Sequence, residues 1–354
     1  MDWSLDAFYP CRQQAELIAE LRALDGPEKI PALAERLRLL MLDLAGKGIA
    51  GQEMTRLISA GNDQLTVRVI ELTARKHRLP QVAWCWLALG SEGRHEQTFV
   101  SDQDNGLIFN ATDSREAEAM RALFLPFAQE VNQRLADCGF ELCSGQIMAG
   151  NPAWCLSFDE WRERFIDWVR RPEPAALLNA SIFFDLRPLY GQLDLGEALR
   201  TLLLSLTSDT PSFLHLMAAN ALQAEVPLNF RGEVAAEGDQ LDLKKFGSRI
   251  FVDVARIFSL AAGTRAVHSA ERLREAGHLA GLNAGEMVAA NAAFSHVLRL
   301  RLDQQLVDRA AGIGDGHSHS LKLHTLHDMD RAILREALKL ARRLQQRLKL
   351  NYVL

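Results

Sequence analysis

The chain has 354 residues, of which 48% are hydrophobic and 24% are charged, and its formal net charge is −5 with a pI of about 6.1. This length predicts more than one domain, because single hydrophobic cores rarely grow so large. The mildly acidic balance gives no reason to expect a nucleic-acid or membrane partner, and no apolar run is long enough for a transmembrane helix. Five cysteines without a CxxC pair, and an N-terminus unlike a signal peptide, lead us to expect a cytoplasmic protein.

Residues 1–78 are predicted to form an N-terminal helical segment. Apolar residues recur there at helical spacing in two runs, Leu17, Ile18, Leu21 and Leu24, followed by Leu33, Leu37, Leu40, Met41 and Leu44. Pro31 suits the first turn of the second helix, because a proline there loses no intrahelical hydrogen bond.

Residues 79–190 are predicted to form a small α+β core with a mixed sheet. The runs 81–89 and 106–109 are short and apolar, as strands are, and residues 117–136 have helical spacing. Residues 139–148 have the pattern of a further strand. This order of strand, loop, strand, helix and strand favours a small sheet packed against a helix.

Residues 191–354 are predicted to form a C-terminal helical bundle, which completes an α+β fold. The last predicted helix, over 331–350, carries an apolar stripe of Leu334, Leu338, Ala341, Leu344 and Leu348. A long polar loop is predicted over 229–245. A histidine cluster further on matches no metal-site spacing and is interpreted as part of a solvated loop or helix cap; its members are His317, His319, His324 and His327.

Two carboxylates directly before the second predicted strand are candidate metal ligands. Asp102 and Asp104 are separated by one residue, so their side chains project from the same face of an extended segment. Magnesium prefers oxygen ligands, and two magnesium ions roughly 3.5–4 Å apart support phosphoryl and nucleotidyl transfer. The spacing predicts a two-metal Mg²⁺ site, which Mn²⁺ could also fill. A lone DxD is most often a solvated turn, so the motif carries weight only together with its neighbours.

A glycine-rich turn precedes this pair and is a candidate nucleotide-binding element. Gly90 and Ser91 follow the first predicted strand, where a glycine lets the backbone come close to a phosphate and a hydroxyl can donate to it. Gly93 adds a second flexible point, and the guanidinium of Arg94 can bind phosphate through two hydrogen bonds. The turn and the carboxylate pair together predict a nucleoside-triphosphate site.

Residues 90–108 follow the pattern G-S-x-G-R-x-E-x(4)-S-D-x-D-x(2)-L-I. This pattern resembles that of the DUF294-type nucleotidyltransferases, which are similar to the N-terminal part of the PII-protein uridylyltransferases and belong to the polymerase-beta-like superfamily. The matching residues are Gly90, Ser91, Gly93, Arg94, Glu96, Ser101, Asp102, Asp104, Leu107 and Ile108. Similarity over 143–154, 181–187 and 242–256 extends the resemblance to about residues 40–350.

The resemblance assigns roles to the turn and to the carboxylate pair. It implies that Gly90 and Ser91 hold the triphosphate and that Asp102 and Asp104 bind magnesium. It also implies a third carboxylate on a later strand, which helps to activate the attacking hydroxyl.

This third carboxylate has several candidates. The expected strand offers only Glu141, at a position that does not match the family motif. Asp185, in the FFDLR segment, matches better and is predicted to be the catalytic group within reach of the carboxylate pair. The alternative for Asp185 is a buried ion pair with Arg187. If Asp185 points away from the pair, Glu96 and Glu141 are the remaining candidates.

The resemblance implies a metal-dependent enzyme that moves a nucleoside monophosphate from an NTP to an acceptor hydroxyl and releases pyrophosphate. The acceptor would be a tyrosine of a small regulatory protein, as in the uridylyltransferases and with a role in signal transduction, or a small molecule. A non-catalytic module that binds nucleotide or a partner is the alternative. A polynucleotide-adding enzyme is disfavoured, because the acidic sequence shows no obvious basic groove.

Overall fold

The computed structural model describes residues 12–235, 239–312 and 320–354. By its contacts the chain divides into two compact units. The first contains the described residues up to Gly48 together with Met54–Ile166 and Ile182–Leu202, and the second contains Ile49–Glu53, Asp167–Ser181 and the described residues from Leu203 onward. Each unit combines separate stretches of sequence, and the domain boundaries predicted after residues 78 and 190 stay a prediction.

The described residues begin with three helices, α1 (Arg12–Arg22), α2 (Ile30–Gly46) and α3 (Gly51–Ala74), which confirms the helical prediction for this segment. α1 packs against α2, which has a proline in its first turn and buries the stripe Leu33, Leu37, Met41 and Leu44. The middle of α3 differs, because it also buries the polar side chains of Ser59 and Asp63. Ser59 Oγ accepts a hydrogen bond from the amide of Gln97, so α3 lies beside the segment that follows the glycine-rich turn.

The first unit contains a mixed four-stranded sheet. Its strands are β1 (Trp84–Ala88), β2 (Asn105–Phe109), β3 (Cys155–Ser157) and β4 (Arg187–Gly191), in the order β3-β2-β1-β4. β1 pairs antiparallel with β2 and β4, whereas β2 and β3 are parallel. The short helix α4 (Gly90–Gly93) lies between β1 and β2, and α5 (Ser114–Asp137) follows β2 and packs against β3. This small mixed sheet confirms the α+β fold class.

The strand register brings three segments together at the end of β1. Ala88, the last residue of β1, is paired with Asn105 at the start of β2 and with Arg187 at the start of β4. The next residues beyond these pairs belong to the glycine-rich turn, to the carboxylate pair and to the FFDLR segment. The sheet therefore positions three of the predicted site elements side by side.

Residues 139–148 do not form the predicted strand, and this prediction was wrong. The segment does run beside the chain that leads into β2, because the amide of Gln103 donates to the carbonyl of Glu141 at 2.9 Å. It then folds into a turn in which the amide of Gln146 donates to the carbonyl of Cys143, and Gln146 has a positive φ of 56°. A turn of this kind interrupts a ladder, which explains why an apolar segment in the right place does not become a strand.

The second unit is largely helical, as predicted. Helices α6 (Phe158–Arg170), α7 (Pro174–Phe183) and α8 (Leu193–Ser208) contribute residues to both units, and the second continues with α9 (Pro211–Ala221), α10 (Arg249–Ala262), α11 (Ser269–Ala276), α12 (Ala284–Ala310) and α13 (Asp328–Tyr352). α10 packs against α9, α11 and α13, and α12 packs against α11 and α13. The predicted stripe of α13 is buried, which confirms the bundle. Among the described helices, none combines the length and apolar character needed to cross a membrane.

Two short strands of the second unit, β5 (Gln240–Asp242) and β6 (Ser320–Lys322), pair antiparallel. The polar loop predicted over 229–245 therefore contains a strand, and its residues 236–238 lie outside the described residues. In the histidine cluster, the ring of His324 is hydrogen-bonded to the Asp239 carboxylate, and His327 caps α13 by accepting a hydrogen bond from the Met329 amide. The other two members, His317 and His319, lie outside the described residues.

Candidate active site

The turn after β1 depends on a glycine that lies against a carboxylate. Gly90 has a φ of +51°, in the left-handed region that favours glycine. A Cβ built on Gly90 would lie 2.4 Å from Asp104 Oδ2, closer than a real Cβ comes to any atom. The turn backbone and the Asp104 carboxylate are thus in direct proximity, and Ser91 follows as a half-buried residue.

Asp102 and Asp104 lie in the extended chain that leads into β2. The amide of Leu89 donates to the carbonyl of Asp104 at 2.9 Å, which ties this chain to the end of β1. Between the two acids, Gln103 is buried, and its side-chain amide donates to two backbone carbonyls. Because side chains alternate along extended chain, the two carboxylates lie on the face opposite Gln103, with Asp102 exposed and Asp104 half-buried.

Two further acids, Asp63 and Glu92, are buried, and Glu92 lies close enough to both Asp63 and Asp104 to interact with their charges. Burial, together with the charges of Asp63 and Asp104, raises the pKa of Glu92 to about 8, against the lowering effect of Arg187. Burial also raises the pKa of Asp63, against the lowering effect of Arg187. Neither acid was predicted from the sequence, although Glu92 lies inside the motif and Asp63 interrupts the apolar pattern of α3.

Arg187 connects α3 and the turn to the start of β4. Its Nη2 donates to Asp63 Oδ1 at 2.8 Å and to the carbonyl oxygen of Glu92 at 3.1 Å. On the other side of Asp63, the Nδ1 atom of His95 lies 3.6 Å from Oδ2. His95 has a φ of +56°, and a non-glycine residue in that region carries local strain of the kind that persists where the surroundings fix it.

The guanidinium of Arg94 is held by two carboxylates. Its Nη1 donates to Asp185 Oδ2 at 2.5 Å, and its Nε donates to Glu96 Oε2 at 2.7 Å. The exposed fractions of the Asp185 and Glu96 side chains are 0% and 2%. Asp185 is thus in a buried ion pair, which is the alternative to a catalytic role, but its partner is Arg94 and not the expected Arg187. Arg187 pairs with Asp63 instead.

The FFDLR backbone meets the turn at its second glycine. A Cβ built on Gly93 would lie 2.2 Å from the carbonyl oxygen of Asp185 and 3.0 Å from that of Ala88. Close packing between two backbones therefore requires a glycine at this position. A contact between Gly93 and a nucleotide stays a prediction.

Two residues of the 139–148 segment lie beside the carboxylate pair. An isolated parallel bridge pairs Asp102 with Glu141, and residues paired in this way direct their side chains to the same face. Glu141 is exposed. Burial raises the pKa of the Cys143 thiol, and so does the charge of Asp104, to which the thiol is hydrogen-bonded. The segment thus borders the pair, as the predicted third strand would have done.

The acids around the turn fit a divalent cation. Beyond the effect of burial, Asp63 and Asp104 raise the pKa of Glu92 by charge repulsion, and a bound cation would offset that repulsion. Within residues 12–235, 239–312 and 320–354, no group of three or more His, Cys, Asp or Glu side chains is arranged to hold a metal. Two carboxylates suffice for Mg²⁺, which usually takes its remaining ligands from substrate phosphates and water.

Two family models match the chain. The model described as Putative nucleotidyltransferase DUF294 matches residues 35–175, which include the turn and the carboxylate pair. The model described as Putative nucleotidyltransferase substrate binding domain matches residues 211–352. The FFDLR segment lies between the two matched ranges. No curated protein matches the chain.

Proposed function

We propose that this chain, which belongs to the DUF294 family of nucleotidyltransferases, transfers a nucleoside monophosphate from an NTP to an acceptor hydroxyl in a reaction that requires Mg²⁺. The proximity of the Gly90 backbone to the Asp104 carboxylate is the observation that supports this most directly. A triphosphate bound at the turn would lie beside carboxylates able to hold its magnesium, and nucleotidyl transfer depends on that arrangement.

In this proposal the turn and the carboxylate pair divide the work of binding. Gly90 lets the backbone come close to the triphosphate, and Ser91 donates its hydroxyl to a phosphate oxygen. Asp102 and Asp104 hold Mg²⁺, or Mn²⁺ in its place. When bound, the metal neutralises the triphosphate and stabilises the charge that develops on the departing pyrophosphate.

Three acids compete for the role of proton acceptor. Asp185 and Glu96 are buried, and one oxygen of each accepts a hydrogen bond from Arg94. Glu141 is exposed, and its backbone is bridged to that of Asp102, so a substrate hydroxyl beside the pair can reach it. We therefore favour Glu141 as the general base and keep Asp185 as the competing prediction.

The reaction balances with these groups. The acceptor hydroxyl gives its proton to the base, and its oxygen forms a bond to the α-phosphorus. The bond between the α-phosphorus and the pyrophosphate oxygen breaks, and pyrophosphate leaves. The acceptor is a protein tyrosine or a small molecule, and the substrate-binding description of the model matched by residues 211–352 supports a role for the helical part of the chain in holding it.

The test is transfer of label from NTP. Purified protein is incubated with each α-labelled NTP and Mg²⁺, with and without cell extract, and labelled proteins are separated from labelled small molecules. We expect one NTP to give a labelled product, and we expect Asp104→Asn to lower its formation by at least about 100-fold, because several kcal/mol of transition-state stabilisation come from the metal site. Asp43→Asn, at an exposed aspartate of α2, is the matched control and should react like the wild type.

The outcomes separate the two functions. Tight NTP binding without transfer under every condition would instead support the non-catalytic regulatory module. Equal product from Asp104→Asn and the wild type would contradict the metal assignment. For the base, Glu141→Gln should lose transfer and retain NTP binding, while Glu118→Gln, at an exposed glutamate of α5, should change neither.

A further inference from the structure

Arg187, at the start of β4, and Asp185, two residues before it, contact three successive residues of the glycine-rich turn. Arg187 donates to the carbonyl of Glu92 at 3.1 Å. The carbonyl of Asp185 lies against Gly93, where a Cβ would approach it to 2.2 Å. The Asp185 carboxylate accepts a hydrogen bond from Arg94 at 2.5 Å. The contacts follow the order of the turn, so this segment fixes its whole second half.

We infer that Asp185 and Arg94 are positioning residues, which hold the turn in the shape that receives the triphosphate. This inference rests on the proposed function. It differs from the two predicted roles, in which Asp185 is the catalytic base and Arg94 is a phosphate ligand. We call the two ion pairs Arg94–Asp185 and Arg187–Asp63 the brace. One pair of the brace ties the turn to the chain just before β4, and the other ties the start of β4 to α3.

Burial argues that Arg94 does not leave the brace to bind phosphate. Its side chain is 12% exposed, and two of its nitrogens already donate to Asp185 and Glu96. If the guanidinium turned toward a phosphate, the fully buried Asp185 carboxylate would lose this ion pair. Breaking a buried ion pair is strongly destabilising.

Burial argues equally that Asp185 does not take a proton from the acceptor. A general base must come within hydrogen-bond reach of the substrate hydroxyl. The Asp185 side chain is 0% exposed, and its Oδ2 already accepts from a guanidinium at 2.5 Å. A carboxylate in that setting stabilises its partner and lies out of reach of a substrate.

The two arms of the test are NTP binding and the mobility of the turn. Binding of Mg²⁺–NTP is measured by calorimetry for the wild type, Arg94→Gln, Asp185→Asn and the double variant. Amide hydrogen exchange over residues 89–96 is measured for the same proteins without nucleotide. We expect each single variant to weaken binding roughly tenfold, and the double variant to do no more, because residues that act through one interaction are not additive. Exchange in the turn should rise in all three variants.

Each alternative role gives a different result. If Asp185 is the base, Asp185→Asn loses transfer with unchanged NTP affinity. If Arg94 is a phosphate ligand held back by Asp185, Asp185→Asn frees it and binding becomes tighter. Either result, or unchanged exchange in the turn, overturns the inference. If the wild type binds no NTP at all, the proposed function fails, and the exchange measurement still decides whether the brace holds the turn.

Two further variants serve as controls, one for a general effect of losing an ion pair and one for misfolding of Asp185→Asn. Arg134→Gln breaks an ion pair with Glu130 on α5, which is not part of the brace, and should change neither binding nor exchange at residues 89–96. If Asp185→Asn does not fold, Glu96→Gln removes the other carboxylate that holds the same guanidinium, and it should loosen the turn to a smaller extent.

Discussion

The glycine-rich turn and helix α13 are held in place by opposite means. Around the turn, buried charged side chains pair with one another, as Arg94 does with Asp185 and Arg187 with Asp63. On α13 all the buried residues except Gln345 are apolar and form a stripe, and charged residues such as Glu336 and Lys339 pair at the surface. One region therefore buries charge and the other buries hydrocarbon.

The difference indicates in which region burial of side chains lowers the stability of the folded protein. Burying apolar surface lowers the free energy of the folded state, whereas burying a charge raises it unless a partner compensates. At Glu92 this compensation is incomplete, because burial and neighbouring acids raise its pKa to about 8. Stability lost at one place and recovered elsewhere is typical of functional sites. Substitutions on α13 should therefore change mainly the free energy of unfolding, whereas substitutions at the turn should also change NTP binding or the pH dependence of stability.

The largest effect on folding should come from α13. Leu338 has no exposed area, and replacing it with alanine leaves a cavity that should lower the free energy of unfolding by about 3 kcal/mol. NTP binding per folded molecule should not change. Urea unfolding together with calorimetry checks both. Leu350→Ala, on the same helix but 72% exposed, is the control and should cost well under half as much. A large loss of NTP affinity in folded Leu338→Ala would contradict the expectation that α13 contributes to stability alone.

At the turn, the expected effect depends on pH. The folded-state pKa of Glu92, about 8, lies above its ordinary value of 4.5, so its contribution is fully present below pH 4.5 and is lost as pH rises toward 8. Glu92→Gln removes this slope, so the variant should gain stability relative to the wild type between pH 5 and pH 8.5. We expect a relative gain on the order of 2 kcal/mol by urea unfolding. The same difference at both pH values would argue against a buried, protonated Glu92.

Two left-handed glycines compare the regions directly. Gly90 and Gly263 have φ values of 51° and 64°, but Gly90 lies against the Asp104 carboxylate, whereas a Cβ on Gly263 would meet nothing within 4 Å. Alanine at either position should cost about 1 kcal/mol through backbone strain. Only Gly90→Ala should also weaken Mg²⁺–NTP binding, because its Cβ displaces Asp104. Equal NTP affinity in the two variants would make the Gly90 turn purely structural.

The smallest effect should come from exposed charges. Asp43 on α2 forms an ion pair with Lys47, the residue that follows this helix, and both side chains are about 60% exposed. Asp43→Asn should change the free energy of unfolding by less than about 0.5 kcal/mol, since solvent and salt screen such pairs. Thermal unfolding at low and high salt measures this. A larger cost would mean that charge stabilises this protein outside the turn as well.

Local patterns were sufficient for the helices and for the order of the site elements. The 3.6-residue spacing of Leu334, Leu338 and Leu344 predicted the buried face of α13 correctly. The alternation around Gln103 likewise agrees with the shared face expected of Asp102 and Asp104. Each of these inferences needs only neighbours in sequence, so tertiary contacts had little opportunity to override them.

Local patterns were not sufficient where interacting residues come from distant parts of the chain. Residues 139–148 look like a strand, but a turn interrupts the segment after a single bridge to Asp102. Asp63 and Glu92 were not identified, because the burial that makes them unusual is supplied by other segments. β5 was missed, since its partner β6 lies about 80 residues further along the chain.

The sequence by itself determined the α+β fold class, the helical bundle and the succession of turn and carboxylate pair, since helical stripes, strand alternation and glycine turns are properties of short segments. Only the tertiary structure decided the ion-pair partners of the site. Arg94 and Asp185 are 91 positions apart, and Asp63 and Arg187 are 124 apart. A charge in a sequence has many potential partners, and the buried position in which the fold places it selects one of them, because an unpaired charge there is strongly unfavourable.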